Sequence, residues 1–137
     1  MSKTVRDTMS TQPKSIDASQ AMVEAARAMR DEDVGSLPVT DQGRLIGVIT
    51  DRDIVVRVVA EGRMDSATVA DALSRNPVTV EPDEDLDEAL RLMARHQVRR
   101  LPVVEGDRLV GIVAQADVAL AEKEKKTGEV VQAISES

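Results

Sequence analysis

Cysteine and the aromatic residues are absent from this 137-residue chain, and histidine occurs once, as His96. Without cysteine there is no disulfide, no thiolate metal site and no cysteine nucleophile. A single histidine excludes a multi-histidine metal site within one chain. Without Trp, Tyr or Phe the core is aliphatic, and no ring can stack on a nucleobase. Because a Gly-rich phosphate loop is also missing, the sequence argues against an enzyme.

Long apolar runs and an excess of positive charge are missing too. No run approaches the roughly 20 apolar residues that cross a bilayer, and the N-terminus carries no apolar signal segment. We therefore expect no membrane partner, and the absence of cysteine favours the reducing cytoplasm as the location. The net charge of −7 disfavours nucleic acid, since binding to phosphates requires clustered Lys and Arg.

The sequence does contain an internal repeat of 64 residues. Residues 5–54 align with residues 69–118 without a gap, with 16 identities in 50 positions. Unrelated segments of ordinary composition would share about three. Because units of roughly 55–60 residues are marginally stable alone, we expect the two copies to pack on each other.

Each copy predicts a β-α-β-β-α order and an α/β (α+β) fold. Short β-prone pieces at residues 14–16 and 78–80 precede amphipathic helices, for which Ser19 and Asp83 are the expected N-caps. A strand, a tight turn and a second strand follow, and the next helix begins near Asp51 or Gln115. The predicted organisation is repeat 1 at 5–62, a linker at 63–68, repeat 2 at 69–122, and a partly helical tail at 123–137.

The hairpins carry the residues by which the chain resembles a known family. Leu-Pro-Val at 37–39 and 101–103 leads to a turn, and then to Gly-Val-Ile-Thr-Asp-Arg-Asp at 47–53 or Gly-Ile-Val-Ala-Gln-Ala-Asp at 111–117. This doubled pattern resembles a tandem pair of CBS (cystathionine β-synthase) domains. Residues 50–54 and 96–100 are similar to those of small stand-alone bacterial members, of the hypoxic response protein type.

The resemblance implies a pseudo-symmetric module in which the two repeats pack through their sheets. It implies a non-enzymatic regulator that needs no cofactor, forms homodimers, and binds AMP, ADP, ATP or S-adenosylmethionine in the cleft between the repeats. The regulated protein is not identified by the sequence. The alternative is a stress or interaction protein of the same fold that binds a partner protein and no nucleotide.

Thr50 and Asp53 are the first candidate ligand-binding residues. In the family, the threonine meets ribose or phosphate and the aspartate accepts hydrogen bonds from the ribose hydroxyls; a carboxylate suits a vicinal diol because it has two acceptor oxygens. The alternative is that Thr-x-x-Asp is a capping box without a ligand. Asp117 matches Asp53, but Ala114 replaces the threonine, which puts the second site in doubt.

Three arginines are candidate phosphate ligands. Arg99 and Arg100 precede the second Leu-Pro-Val, where basic residues of related proteins reach phosphates, whereas the first copy has Gly35 and Ser36. The alternative is an exposed pair at a strand edge that aids solubility. Arg52 follows Asp51 and can reach a phosphate or pair with a neighbouring carboxylate.

The remaining candidates occupy positions that hold adenine in the family through backbone groups and aliphatic contacts. Their alternative role is ordinary core packing. They are Ser15, Ile16, Val34, Pro38, Thr79, Val80, Val98 and Pro102.

The helix expected from Asp51 to about Gly62 is unusually apolar for a surface helix. More apolar residues lie on it than one core-facing stripe requires, which indicates a partner surface. We expect a homodimer through this helix, with Ile54, Val55, Val58 and Val59 in the interface.

Overall fold

The computed structural model describes residues 3–121 and residue 123. The fold is mixed α+β, as predicted from the sequence. The strands are β1 (Ser10–Thr11), β2 (Ile16–Asp17), β3 (Ser36–Asp41), β4 (Arg44–Thr50), β5 (Ser74–Arg75), β6 (Arg100–Glu105) and β7 (Arg108–Ala114), and the helices are α1 (Met22–Glu32), α2 (Asp51–Ile54), which continues as a π-helix (Val55–Val59), α3 (Leu86–His96) and α4 (residues 115–121).

The first repeat follows the predicted β-α-β-β-α order. β2 runs parallel to β3, and α1 connects these two strands. β3 and β4 form an antiparallel hairpin in which Asp41 pairs with Arg44, so the loop consists of Gln42 and Gly43. Both loop residues have positive φ (53° and 82°), as a tight hairpin turn requires.

The second repeat has the same order with one reduced strand. The predicted strand at residues 78–80 contributes only a single bridge, from Val80 to Val103. β6 and β7 pair beyond α3, and α4 begins at residue 115, as expected. The tail predicted at 123–137 lies outside the described residues, apart from residue 123.

The apolar stripes predicted on α1 and α3 face two hydrophobic cores. Met22, Ala25 and Met29 are buried in one core, together with residues of β3 and β4. Leu86, Ala89 and Met93 are buried in the other, together with residues of β6 and β7. The 3.6-residue period of the sequence therefore located both helices and both buried faces.

The predicted N-caps are wrong by two residues. α1 begins after Ala21 and α3 after Asp85, whose carboxylate accepts a 3.2 Å hydrogen bond from the Asp87 N–H. Ser19 instead donates its N–H and its hydroxyl to Asp17, at 2.9 and 2.6 Å. Ser19 thus stabilises a turn at Asp17 and does not cap the helix, since short polar side chains stabilise turns as well as helix ends.

Each repeat begins with a lead-in segment, residues 4–11 in the first and 68–75 in the second, and each lead-in pairs with a strand of the other repeat. β1, from the start of the first repeat, pairs with β7 of the second, and β5, from the start of the second, pairs with β4 of the first. Two repeated glycines allow this close approach. A Cβ at Gly47 would lie 2.5 Å from the Ser74 carbonyl oxygen, and one at Gly111 would lie 2.9 Å from the Ser10 carbonyl oxygen.

The compact units of the chain follow this exchange. One unit contains residues 13–77 and 106–109, and the other contains the described residues among 1–12, 78–105 and 110–137. Residues 69–77 therefore belong to the unit of the first hairpin, although they begin the second repeat in sequence. The predicted boundaries at 62 and 69 therefore mark where the repeats end and begin in the sequence, whereas the compact units divide at residues 12–13 and 77–78.

Candidate functional site

The site of the first repeat lies where β4 ends and α2 begins. Thr50 is the N-cap: its hydroxyl oxygen accepts a 3.0 Å hydrogen bond from the Asp53 N–H. The Asp53 Oδ2 accepts a 3.1 Å hydrogen bond from the Thr50 N–H in return. The capping box proposed from the sequence is therefore present. Its two side chains are the first candidate ligand-binding residues named from the sequence.

Two further residues approach the Asp53 carboxylate, whose side chain is only 12% exposed. The Ser74 hydroxyl donates a long 3.5 Å hydrogen bond to Oδ2, and the Arg57 Nε lies 3.8 Å from Oδ1. Sequence reasoning missed both. Arg57 was detectable from its four-residue spacing on a helix. Ser74 is 21 residues away in sequence and reaches Asp53 only because β5 pairs with β4.

The corresponding junction of the second repeat has the same backbone but different side chains. The Gln115 N–H donates to the Arg99 carbonyl at 2.8 Å, as the Asp51 N–H donates to the Gly35 carbonyl at 2.9 Å. Ala114 has no hydroxyl with which to cap α4. Asp117 is half-buried, and its carboxylate makes no hydrogen bond with the residues that the structure describes.

The candidate phosphate ligands are all exposed. Arg99 and Arg100 lie at the start of β6, and neither guanidinium forms an ion pair within residues 3–121 and 123. The position of Arg99 is taken by Gly35 in the first repeat, where a Cβ would lie 3.2 Å from the Asp51 carboxylate. Arg52 contacts Asp51 through its backbone N–H, at 2.8 Å. The second junction thus carries two arginines at the positions where the first has Gly35 and Ser36.

The eight candidates at positions that hold adenine in the family, here called the adenine-type positions, divide into buried and accessible ones. The side chains of Ile16 and Val80 are core residues, and Pro38 and Pro102 are also buried. Those four side chains therefore have the alternative role expected from the sequence, which is ordinary core packing. The other four candidates remain partly or fully accessible: Ser15, Val34, Thr79 and Val98.

The carboxylates whose pKa is shifted lie outside these junctions. The pKa of Asp17 is lowered by the hydrogen bonds from Ser19, and that of Asp71 by the hydrogen bond from the Thr68 N–H. In both cases the donor stabilises the ionised form. These groups therefore serve local structure.

The described residues lack two further features. They contain no group of three or more His, Asp or Glu side chains arranged to hold a metal ion. None of their helices is long and apolar enough to cross a membrane.

The chain is similar to a known protein family along most of its length. The CBS-domain model matches residues 5–60 and again residues 69–124. The CBS domain-containing protein YhcV of Bacillus subtilis is 45% identical over 116 residues, covering 85% of this chain and 83% of that protein. Hypoxic response protein 1 of Mycobacterium tuberculosis is 38% identical over 133 residues, covering 96% of this chain and 93% of that protein.

Solved structures with the same fold include three informative ones. Hypoxic Response Protein I with two coordinated zinc ions has a TM-score of 0.77 and 39% identity, covering 85% of this chain and 97% of that chain. The CBS domain pair of protein MJ0100 with 5′-methylthioadenosine and S-adenosyl-L-methionine has a TM-score of 0.77 and 28% identity, covering 91% and 99%. CBSX2 of Arabidopsis thaliana in complex with AMP has a TM-score of 0.79 and 27% identity, covering 90% and 98%.

The two family matches coincide with the repeats found by sliding the sequence along itself, and they extend over most of the chain. The relatives match over nearly their whole length, so the similarity includes both repeats and their order. The chain therefore belongs to the CBS-domain family, as a tandem pair of CBS domains.

Proposed function

We propose that this chain is a non-enzymatic regulatory module that binds an adenine nucleotide at the β4–α2 junction. The observation that carries the proposal is the Asp53 carboxylate, held in a fixed orientation beside the Thr50 hydroxyl. Two solved relatives, the MJ0100 domain pair and CBSX2, are complexes with S-adenosylmethionine and with AMP. In this proposal Asp53 accepts hydrogen bonds from the ribose hydroxyls, and Thr50 contacts ribose or phosphate.

The second junction contributes differently. With Ala114 it lacks the hydroxyl, but with Arg99 and Arg100 it can neutralise phosphate charge. Asp117, Arg52 and the accessible adenine-type positions complete the proposed set of ligand-binding residues. The two junctions are therefore unequal, and Asp53 is the residue to test first.

The protein should act as a cytoplasmic homodimer that passes ligand binding to another protein. Support for the dimer comes from the π-helix after α2, where Val55, Val56 and Val59 are more than half exposed. Ile54 and Val58 belonged to the interface expected from the sequence, but they are buried in the core. The proposed interface is accordingly the exposed valine face, defined as Val55, Val56 and Val59.

A second candidate function has its own supporting observation. The hydrogen bonds among Thr50, Asp53 and Ser74 already satisfy this junction without a ligand. A capping box that is complete by itself suits a module whose role is only to bind a partner protein.

The absence of aromatic residues provides a direct test. The protein itself absorbs almost nothing between 260 and 280 nm, so any adenine that copurifies is visible after denaturation and can be identified by mass spectrometry. Calorimetric titration with AMP, ATP and S-adenosylmethionine follows. Asp53→Ala should abolish binding at the first site, whereas Asp41→Ala, an equal charge change at the exposed end of β3, should leave it intact. No bound adenine and no titration signal would favour the partner-binding function.

A further inference from the structure

The Asp53 carboxylate uses its two oxygens unequally. Oδ2 accepts hydrogen bonds from the Thr50 N–H at 3.1 Å and from the Ser74 hydroxyl at 3.5 Å. Oδ1 faces Arg57 at 3.8 Å, which is an ion-pair distance and too long for a hydrogen bond. A carboxylate oxygen accepts about two hydrogen bonds, so Oδ2 already has two donors, the second of them distant, whereas Oδ1 has room for a donor.

Ser74 has a fixed backbone and an adjustable hydroxyl. Its backbone is held because Ser74 pairs with Val48, and Gly47 allows β5 to approach β4 closely. Its side chain is exposed, so the hydroxyl can rotate towards water without leaving a buried polar group unsatisfied. The 3.5 Å bond to Asp53 is at the long limit for a hydrogen bond, which makes it easy to displace.

A ribose diol that binds this carboxylate in a bidentate manner donates one hydroxyl to each oxygen, so one of the two hydroxyls reaches Oδ2. We infer that Ser74 competes with a ribose hydroxyl for Asp53 Oδ2 and so sets the affinity of this site for ribonucleotides. Binding then replaces the hydrogen bond from Ser74 to Asp53, and β5, the lead-in of the second repeat, loses a contact with the first. This inference rests on the proposed role of Asp53.

Removing the competitor should strengthen binding. Ser74→Ala is expected to lower the Kd for AMP by about two- to fivefold, because one weak hydrogen bond no longer has to be displaced. The gain should disappear with 2′-deoxy-AMP or with 3′-deoxy-AMP, whichever lacks the hydroxyl that reaches Oδ2. Calorimetric titration of each variant with the three nucleotides measures this.

The repeat supplies the matched control. Ser10 aligns with Ser74 and is also exposed, in β1, but no hydrogen bond joins it to Asp117 within the described chain. Ser10→Ala should therefore leave the Kd for AMP unchanged, and Ser74→Thr, which retains a hydroxyl, should bind as the unmodified protein does. Far-ultraviolet circular dichroism verifies that each variant is folded.

The outcomes separate the inference from the proposed function. If AMP, ATP and S-adenosylmethionine bind neither the unmodified protein nor any variant, the proposed function fails and the inference fails with it. If AMP binding depends on Asp53 but is unchanged or weakened by Ser74→Ala, only the inference is overturned. A gain with all three nucleotides alike would also overturn it, since the effect would then not involve a ribose hydroxyl.

Discussion

One hydroxyl distinguishes the two strand-to-helix junctions. Thr50 closes a capping box with Asp53, whereas Ala114 leaves Asp117 without a capping partner three residues before it. The backbones are equivalent, since each helix begins with an N–H bonded to the carbonyl of residue 35 or 99. The contribution of the cap to stability can therefore be measured in both directions within one protein.

Thr50→Ala should lower the free energy of unfolding by about 1 kcal/mol, because the Asp53 N–H loses its acceptor. Ala114→Thr should raise it by up to about the same amount, because the new hydroxyl can accept from the Asp117 N–H. Urea denaturation of ligand-free protein, followed by circular dichroism at 222 nm, measures both. A loss of stability in Ala114→Thr would show that the second junction cannot form the box.

The helix that follows β4 combines two kinds of apolar residue. Its first turn is α-helical, and it then widens into a π-helix, in which the Ala60 N–H donates a 2.9 Å hydrogen bond to the Val55 carbonyl five residues before it. Ile54 and Val58 point into the core, whereas the exposed valine face is 52–57% exposed. Core packing thus uses Ile54 and Val58, and the valines proposed for the dimer interface are different residues of the same helix.

A charged substitution on the exposed valine face should separate dimerisation from folding. Val55→Asp combined with Val59→Asp should reduce the mass in light scattering from twice 14.8 kDa to 14.8 kDa without unfolding the protein, because burial of a charge at the interface is unfavourable. Gln42→Asp, which adds a charge in a hairpin turn, should leave the dimer intact. An unchanged mass in the double variant would place the interface elsewhere, as would a monomeric parent protein.

Val58→Ala examines the buried side of the same helix. It should leave the mass unchanged and lower the free energy of unfolding by about 2 kcal/mol, since two buried methyl groups are lost and a cavity remains. A change in mass without a change in stability would reverse the assignment of Val58 to the core.

At the scale of the whole molecule, the two lead-in segments are stabilised by small local motifs. Thr68 and Asp71 form one, with a 2.8 Å hydrogen bond from the Thr68 N–H, and Thr4 and Asp7 repeat it at 2.9 Å. Arg6 joins the first lead-in to Asp83 and Glu105, and these two carboxylates raise the pKa of its guanidinium. Since each lead-in pairs with the hairpin of the other repeat, these motifs help to hold the exchanged strands.

Acid should destabilise the protein through Asp17 and Asp71. Their pKa values are lowered in the folded state, so the stability they provide is complete above their unfolded pKa, near pH 4, and is lost as the pH falls through the lowered values. Asp17→Asn with Asp71→Asn should flatten the decline in melting temperature below about pH 4. Asp65→Asn, in the exposed linker, should not; if it has the same effect, general charge repulsion is the cause.

The sequence by itself determined the features that depend on local spacing. The repeat is read by aligning the chain with itself, and the amphipathic stripes, the hairpins with their turns and the Thr50–Asp53 capping box all arise from residues a few positions apart. Their physical causes, helical and strand periodicity and side-chain capping, act over that same range. Even so, the N-caps lie at Ala21 and Asp85: Ser19 is used by the turn at Asp17, and Asp83 pairs with Arg6.

Only the tertiary structure decided which distant residues meet. The pairing of β5 with β4 brings Ser74 to Asp53, and the packing of one helix buries Ile54 and Val58 while leaving Val55 and Val59 exposed. The periodicity of a single segment does not specify which strand lies beside it or how many of its apolar residues the core can accept. Those depend on the close approach that Gly47 and Gly111 permit, and on the volume enclosed by the assembled sheets and helices.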